Sequence, residues 1–429
     1  MATHDCSIGE RTMTQLVSND IGPGECSEGG SNDLKSDLPR AGKVLVELLD
    51  KYLKGGQIRF RFGGIEASAG ADDGFETVLR VNDPRLFSRV LRYGNLGLGE
   101  AFMDGDFAVE RGELHEFMTA CLRANIDEHI AKDFRLAARL LAFRIHAFLE
   151  GSTKSVRRHY DTGDDVFESF LDSSLTYSCG YALSPGDDLD SLQRNKMDRI
   201  CRKLQLKDGD RLLDIGCGFG GLLIFAAREY GARGTGITTS LSHAEGAKRR
   251  VNEAGLNDEV TIRLSDFHTV TGEYDRIVSV GMLEHVPRRD YGAYFRCIAD
   301  HLVPDGLGLV HAIGCNGQRN RHDPFIQKYV FPNSNQPRLS EITRGLERCG
   351  LAILDVENMG VHYAYTARHW LARFRSSWAR LSQRYDESFL RMWEYYFHCA
   401  IAASYASDSA LFQTLFSADR TARLPLKRI

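Results

Sequence analysis

The run DIGCGFGG at 214–221 follows an apolar strand-like stretch and opens a helical one, and it constrains this chain more than any other feature. Glycines weaken a helix start unless something must come close to the backbone. Gly216, Gly218 and Gly220 therefore mark a tight turn that passes beneath a ligand. The surrounding runs alternate: strands at 211–215, 234–238, 260–264, 274–280 and 306–313, with helices at 222–230, up to 252, and at 291–302. This rhythm predicts a parallel sheet wrapped by helices, the doubly wound α/β class, whose ligands sit beyond the carboxyl ends of the strands. The glycine spacing is GxGxGG, whereas dinucleotide sites carry GxGxxG. No acid closes the second strand, where 234–240 reads GTGITTS, so a dehydrogenase is disfavoured.

The rest of the chain divides into regions of different texture. Residues 1–38 are rich in Ser, Gly, Asp and Glu and read as a disordered tail. Residues 39–150 mix an opening helix carrying Val44, Leu45, Leu48 and Leu49, β-rich runs at 57–62 and 75–81, and a helix near 113–122. That pattern predicts a smaller N-terminal α+β domain ahead of a catalytic domain at 151–429. At 132–149, Phe134, Ala138, Leu141, Ile145 and Phe148 recur at helical spacing, with Arg135, Arg139 and His146 on another face. Spacing alone favours a core-packing helix with a solvated back over a basic face that meets anionic headgroups.

A net charge of -4 with 26% charged residues excludes nucleic-acid binding through bulk charge. The ten cysteines form no CxxC pair and no framework of close spacings, which suits a reduced cytosol. No stretch reaches the roughly 20 apolar residues needed to span a bilayer, and the first residues lack a signal-peptide pattern. If such a chain has a lipid partner, it must meet the membrane surface from outside.

The strand followed by DIGCGFGG resembles the first motif of class I methyltransferases, whose Rossmann-like turn passes under the amino-acid end of S-adenosylmethionine. Further segments are more specific: HYDTGDD (159–165), LTYSCGY (175–181), RIVSVGMLEH (276–285), HAIG (311–314) and DPFIQKYVFPN (323–333). Together they resemble the motifs of the cyclopropane-fatty-acid synthases and mycolic-acid methyltransferases, in order from 154 to 419. LGLGEAFMDG (96–105) is similar to the accessory domain of the bacterial synthases, a domain associated with dimerisation and lipid binding. The resemblance implies that Tyr177, Ser178, Asp214, Gly216, Gly218, Gly220, Thr238, Ser265 and Asp266 contact S-adenosylmethionine. By itself, a lone Asp such as Asp266 at a strand end is more often a helix cap. The resemblance also implies that Cys179, Glu284, His311, Ile313 and Tyr363 hold a bicarbonate ion. Its substrate would be an unsaturated acyl chain of membrane phospholipid, met from the cytoplasm by peripheral association with the inner face; a homodimer stays open.

The implied chemistry explains these residue types. An isolated alkene has no proton to lose first, so it must be held in line with the sulfonium methyl. Closing a three-membered ring then requires a base beside the newly delivered carbon. Glu284 would accept the bicarbonate hydrogen, while His311, Tyr363 and the backbone near Cys179 and Ile313 donate to its oxygens. Tyr177, Phe325 and Tyr329 would stabilise the cation by about 0.5–2 kcal/mol each, and water must be excluded. Taken singly, each residue has a bland reading as a cap, a core histidine or a packing ring. Together, a buried Glu beside a buried His demands a purpose.

Two positions depart from the family pattern. His243 stands where many members carry a cofactor-contacting Gln, and a cysteine once proposed as nucleophile falls at Ala400, one place after Cys399, which reads as a buried thiol. Three other functions remain open: a sister fatty-acid C-methyltransferase giving a methyl-branched or methylated unsaturated chain, a lipid-binding scaffold without turnover, and a small-molecule O- or N-methyltransferase.

Overall fold

The computed structural model describes residues 38–132, 163–316, 322–406 and 409–424. The tail before Leu38, nearly all of the amphipathic stretch at 132–149, and the 159–162 part of the first motif lie outside the described residues. Leu38, the last residue of the expected tail, is buried.

Helix α1 (Arg40–Tyr52) buries Val44, Leu45, Leu48 and Leu49, the stripe that predicted it. Strands β1 (Gly56–Phe62), β2 (Ile65–Gly70), β3 (Phe75–Val81) and β4 (Phe107–Arg111) form a sheet in the order β2-β1-β3-β4. Between them and after them come α2 (Arg85–Tyr93), α3 (Asn95–Met103), α4 (Leu114–Arg123) and α5 (Ile126–Lys132). Sequence reasoning did not resolve β2, β4, α2 or α3. In β2, IEASAG carries little β-branched character. In α3, two glycines lower the helical propensity. They are there because space is short: a Cβ on Gly97 would lie 2.1 Å from the Arg89 carbonyl oxygen, and one on Gly99 would lie 2.3 Å from the Phe325 ring.

The second half opens with α6 (Asp164–Phe170) and α7 (Leu189–Lys203), the latter capped by the Asp188 side chain accepting from the Ser191 N–H at 2.8 Å. Then β5 (Arg211–Ile215), α8 (Gly221–Tyr230), β6 (Arg233–Thr238), α9 (Leu241–Glu253), β7 (Val260–Leu264), β8 (Tyr274–Val280), α10 (Tyr291–His301) and β9 (Leu302–Cys315) follow the predicted alternation. The chain continues through α11 (Leu339–Arg348), β10 (Ala352–Asn358), α12 (Gly360–Ser376), α13 (Glu387–Tyr405) and β11 (Ser409–Ser417). The seven-stranded sheet runs β10-β11-β9-β8-β5-β6-β7. It is not wholly parallel as expected: β11 enters antiparallel between β9 and β10.

The N-terminal layer and the helices α6, α12 and α13 of the second half share one hydrophobic core. Leu45, Phe87, Phe102 and Phe117 of the N-terminal layer belong to the same cluster as Phe170, Trp370, Phe374, Tyr395 and Phe397. Each fully buried side chain of this size contributes roughly 1.5–3 kcal/mol, against a net stability of about 5–15 kcal/mol for a typical domain. Separating the layers would therefore unfold the protein. Polar ties cross the same seam: Lys328 Nζ donates to Glu100 Oε1 at 2.5 Å, and Arg375 grips both oxygens of Glu113 at 2.9 and 3.1 Å.

Candidate active site

The turn after β5 holds Gly216, Gly218 and Gly220 at φ of 87°, 53° and 77°, a backbone region that side chains rarely enter. A Cβ on Gly216 would meet Met282 at 2.8 Å, whereas one on Gly218 would meet nothing within 4 Å. The turn thus presents bare backbone to open space. That space is a cavity of about 2640 Å³, well beyond the roughly 300–1,000 Å³ of an ordinary small-ligand pocket. At the strand ends its walls include Gly216, Gly218, Thr238, His243 and Asp266. They continue past Tyr177, Glu284, His311 and Tyr363 to Leu45, Leu49, Leu98, Phe117 and Met118 of the N-terminal layer. One chamber has both a polar end and an apolar end.

At the polar end, the segment bearing Tyr177 and Ser178 is held from several sides. The Asp172 carboxylate accepts from the N–H groups of Ser174 (2.8 Å) and Thr176 (2.9 Å). Gln193 Nε2 donates to the Ser178 carbonyl at 2.8 Å, and Lys196 Nζ donates to Ser178 Oγ at 2.9 Å. Burial lowers the Lys196 ammonium to about 8 although Asp172, Cys179 and Asp214 pull it upward. Burial likewise raises the Asp214 carboxyl to about 7. Asp214 Oδ1 is buried with no partner among the described residues. Thr238 Oγ1 accepts from the Ser240 N–H at 3.2 Å, and His243 packs on Phe219 with ring centroids 4.7 Å apart. Asp266 caps the turn Phe267–Thr269 by accepting from the His268 N–H at 2.9 Å, so its capping reading holds while it also lines the cavity. Gly220 and Ser265 lie off the wall: Gly220 faces Ala247, and Ser265 Oγ is 2.8 Å from Thr269 Oγ1.

Deeper in, Glu284 sits on a short turn after β8 and is buried. Its Oε1 accepts the Ile313 N–H at 2.6 Å, while Oε2 is buried with no partner among the described residues. Burial, only partly offset by backbone hydrogen bonds, raises this carboxyl to about 7. His311, on β9, is 1% exposed, with Nδ1 3.2 Å from Gln413 Nε2 and with Nε2 buried and unpartnered. Burial holds its pKa well below the usual value, as do the nearby Lys196 and Lys203 charges. The Tyr363 hydroxyl is 3.2 Å from that of Tyr396, which also accepts from Tyr177 at 3.2 Å. Cys179 is buried, and desolvation pushes its thiol up to about 12.

All five residues expected at the anion site line one cavity, and the Ile313 amide donates to Glu284 and so fixes that carboxylate. A correction concerns the aromatic wall. Phe325 is buried beneath Gly99 and against Tyr395, and the Tyr329 hydroxyl donates to Glu100 at 3.0 Å; neither lines the cavity. Phe331, Trp370 and Tyr396 stand with Tyr177 in their place. These rings, together with Gln193, Lys196 and Gln413, were missed in the sequence. The signal for Lys196 was present: with Leu192 and Ile200 it falls on one apolar helical stripe, where a lysine must be buried. Cys399 and Ala400 both line the cavity, and burial raises the Cys399 thiol well above its usual value.

Away from the cavity, Glu113, His115 and His398 are the one group of potential metal ligands close enough to share an ion among the described residues. Arg375 already stands there as the cation, bonded to Glu113 and 3.2 Å from His398 Nε2.

The model of the mycolic acid cyclopropane synthetase family matches residues 149–414. The chain is 38% identical over 355 residues to the cyclopropane-fatty-acyl-phospholipid synthase of Escherichia coli K12, covering 82% of this chain and 89% of that protein. It is 33% identical over 351 residues to the tuberculostearic acid methyltransferase UfaA1 of Mycobacterium tuberculosis, covering 77% and 80%. Among solved structures it is similar to the mycolic acid cyclopropane synthase CmaA1 complexed with SAH and CTAB. That match has a TM-score of 0.56 at 27% identity, over 61% of this chain and 96% of the other.

Proposed function

The chain belongs to the mycolic acid cyclopropane synthetase family and is an S-adenosylmethionine-dependent methyltransferase, and we propose that it builds a cyclopropane ring on the cis double bond of an unsaturated acyl chain in membrane phospholipid. One observation carries this reading: Glu284 Oε2 and His311 Nε2, two buried polar atoms without partners among the described residues, belong to side chains that line the same cavity. Buried polar atoms without partners are rare in folded proteins. Two such atoms, in one cavity with Tyr363, fit bicarbonate, which offers one O–H and further oxygens that accept.

When bound, S-adenosylmethionine supplies the methyl group, and bicarbonate supplies an acceptor for the proton lost as the ring closes. The glycine turn, Tyr177, Ser178, Thr238, His243 and Asp266 would hold the former; Glu284, His311 and Tyr363 would hold the latter. Glu284 is braced by the Ile313 amide so that its second oxygen is aimed rather than mobile. The rings of Tyr177, Phe331, Trp370 and Tyr396 exclude water and face a cationic acyl chain with their π clouds. The apolar end of the chamber, built largely by the N-terminal layer, would take the remainder of the acyl chain. In this reading residues 39–150 form the accessory domain through which the enzyme sits peripherally on the membrane, since among the described residues no helix is long and apolar enough to cross one.

The test is incubation with S-adenosylmethionine and vesicles of a cis-monounsaturated phospholipid, followed by mass spectrometry of the acyl chains. A gain of one CH₂ with loss of the double bond is expected, as is slower turnover in carbonate-depleted buffer, restored by added bicarbonate. A methylated product that keeps a double bond or carries an open methyl branch would overturn the ring-forming assignment.

A further inference from the structure

His311 is governed from behind. Across the sheet, Glu357 of β10 lies opposite Gln413 of β11, and Gln413 lies opposite His311 of β9, so three polar residues form a row across three adjacent strands. At the outer end, Lys203 Nζ donates to Glu357 Oε2 at 2.6 Å and to Gln413 Oε1 at 2.9 Å. Arg199 holds both oxygens of Glu357 at 2.9 and 3.0 Å. Gln413 and Lys203 are both buried, at 0% and 4% exposure, inside the sheet and its helical cover.

The hydrogen-bond roles in this row follow from chemistry alone. An ammonium only donates, so the Gln413 atom beside Lys203 must be the carbonyl oxygen. The other end of the amide is then an NH₂ group, which also only donates, and it lies 3.2 Å from His311 Nδ1. Nδ1 must accept. A neutral imidazole whose Nδ1 accepts carries its proton on Nε2, the atom left unpartnered at the cavity wall.

We infer that Gln413, oriented by Lys203, is a positioning residue that fixes His311 as the Nε2–H tautomer and so makes it a hydrogen-bond donor toward the anion site. The inference rests on the proposed function only for what His311 donates to; the tautomer itself does not depend on it. Glutamine suits the position because it can receive a proton bond at one end and give one at the other. A glutamate there would accept at both ends, draw the His311 proton to Nδ1, and turn a bare Nε2 lone pair toward an incoming anion.

The experiment uses the full-length protein labelled with ¹⁵N-histidine, with the His311 signals identified by their absence in His311→Gln. Long-range ¹H–¹⁵N spectra without added ligand are expected to show wild-type His311 protonated at Nε2 and Gln413→Glu protonated at Nδ1. Gln413→Met, close to isosteric and unable to donate, should show both tautomers. In both variants turnover is expected to fall by about 10–100-fold, the range seen when residues that orient a ligating histidine are lost. Calorimetric affinity for S-adenosylmethionine should stay unchanged. Wild-type His311 protonated at Nδ1 would overturn the inference, as would a folded Gln413→Met with wild-type turnover. Should the tautomers behave as stated while wild-type turnover ignores carbonate depletion, the positioning role stands and the bicarbonate reading fails.

Discussion

Replacing Glu284 by Gln should make the protein more stable and nearly inactive. The carboxyl is raised from its usual 4.5 to about 7 by burial, and each unit of pKa is worth about 1.4 kcal/mol. Ionising it inside the protein thus costs about 3 kcal/mol relative to water. An acid whose folded pKa exceeds its unfolded value holds its proton more tightly when folded. Its contribution therefore favours the folded chain at low pH and is lost as pH rises from about 4.5 through about 7. Glutamine keeps the oxygen that accepts from Ile313 but carries no charge, so it removes this penalty. In denaturant melts at pH 8 the variant should exceed wild type by up to about 3 kcal/mol, with the gap closing near pH 5. Turnover should fall by about 10²-fold or more, the scale of a misplaced general base, because Oε2 is replaced by a donor. Calorimetry with S-adenosylmethionine should show nearly unchanged affinity. Equal activity would refute the assigned role; equal stability at pH 8 would refute the claim that the carboxylate is held charged against its desolvation penalty.

Lys196→Met should weaken S-adenosylmethionine binding about tenfold, as expected for losing one hydrogen bond to a charged donor. Because the wild-type ammonium deprotonates near pH 8, wild-type cofactor affinity should decline above that pH in calorimetry, and the decline should vanish in the variant. Cys399→Ser should retain turnover, and the native thiol should resist alkylation at pH 8, since burial and the nearby Asp323 carboxylate keep it protonated despite the Asn95 amide that donates to it. Gly99→Ala should lower stability by about 1–3 kcal/mol in thermal melts through overpacking, because the added methyl would meet the Phe325 and Tyr395 rings.

The sheet was legible because strand-like runs alternate with helical ones along the chain: 260–264 and 274–280 fall where β7 and β8 lie. The glycine turn was legible because few residues but glycine tolerate its backbone angles. The N-terminal layer was less so, since α3 is a poor helix by propensity and is held by tertiary packing, with Leu98, Ala101, Phe102 and Met103 buried and rings packed over Gly99. Within the site, Glu284, His311 and Tyr363 stood out through motifs. Phe325 and Tyr329 were misplaced because a motif gives the order of residues but not which way a short irregular turn points them. Gln413 left no trace, for a glutamine in a largely apolar strand resembles any buried amide until its neighbours on other strands are known.

The position of β11 has a consequence for how the molecule comes into being. It is synthesised after both strands that flank it, so a growing chain first makes β9 with one edge open and must later thread a partner into that gap. Such an edge invites pairing with other molecules while it waits. Substitutions that delay the docking of 409–417 should therefore reduce the yield of recoverable protein before they alter the specific activity of the molecules that finish.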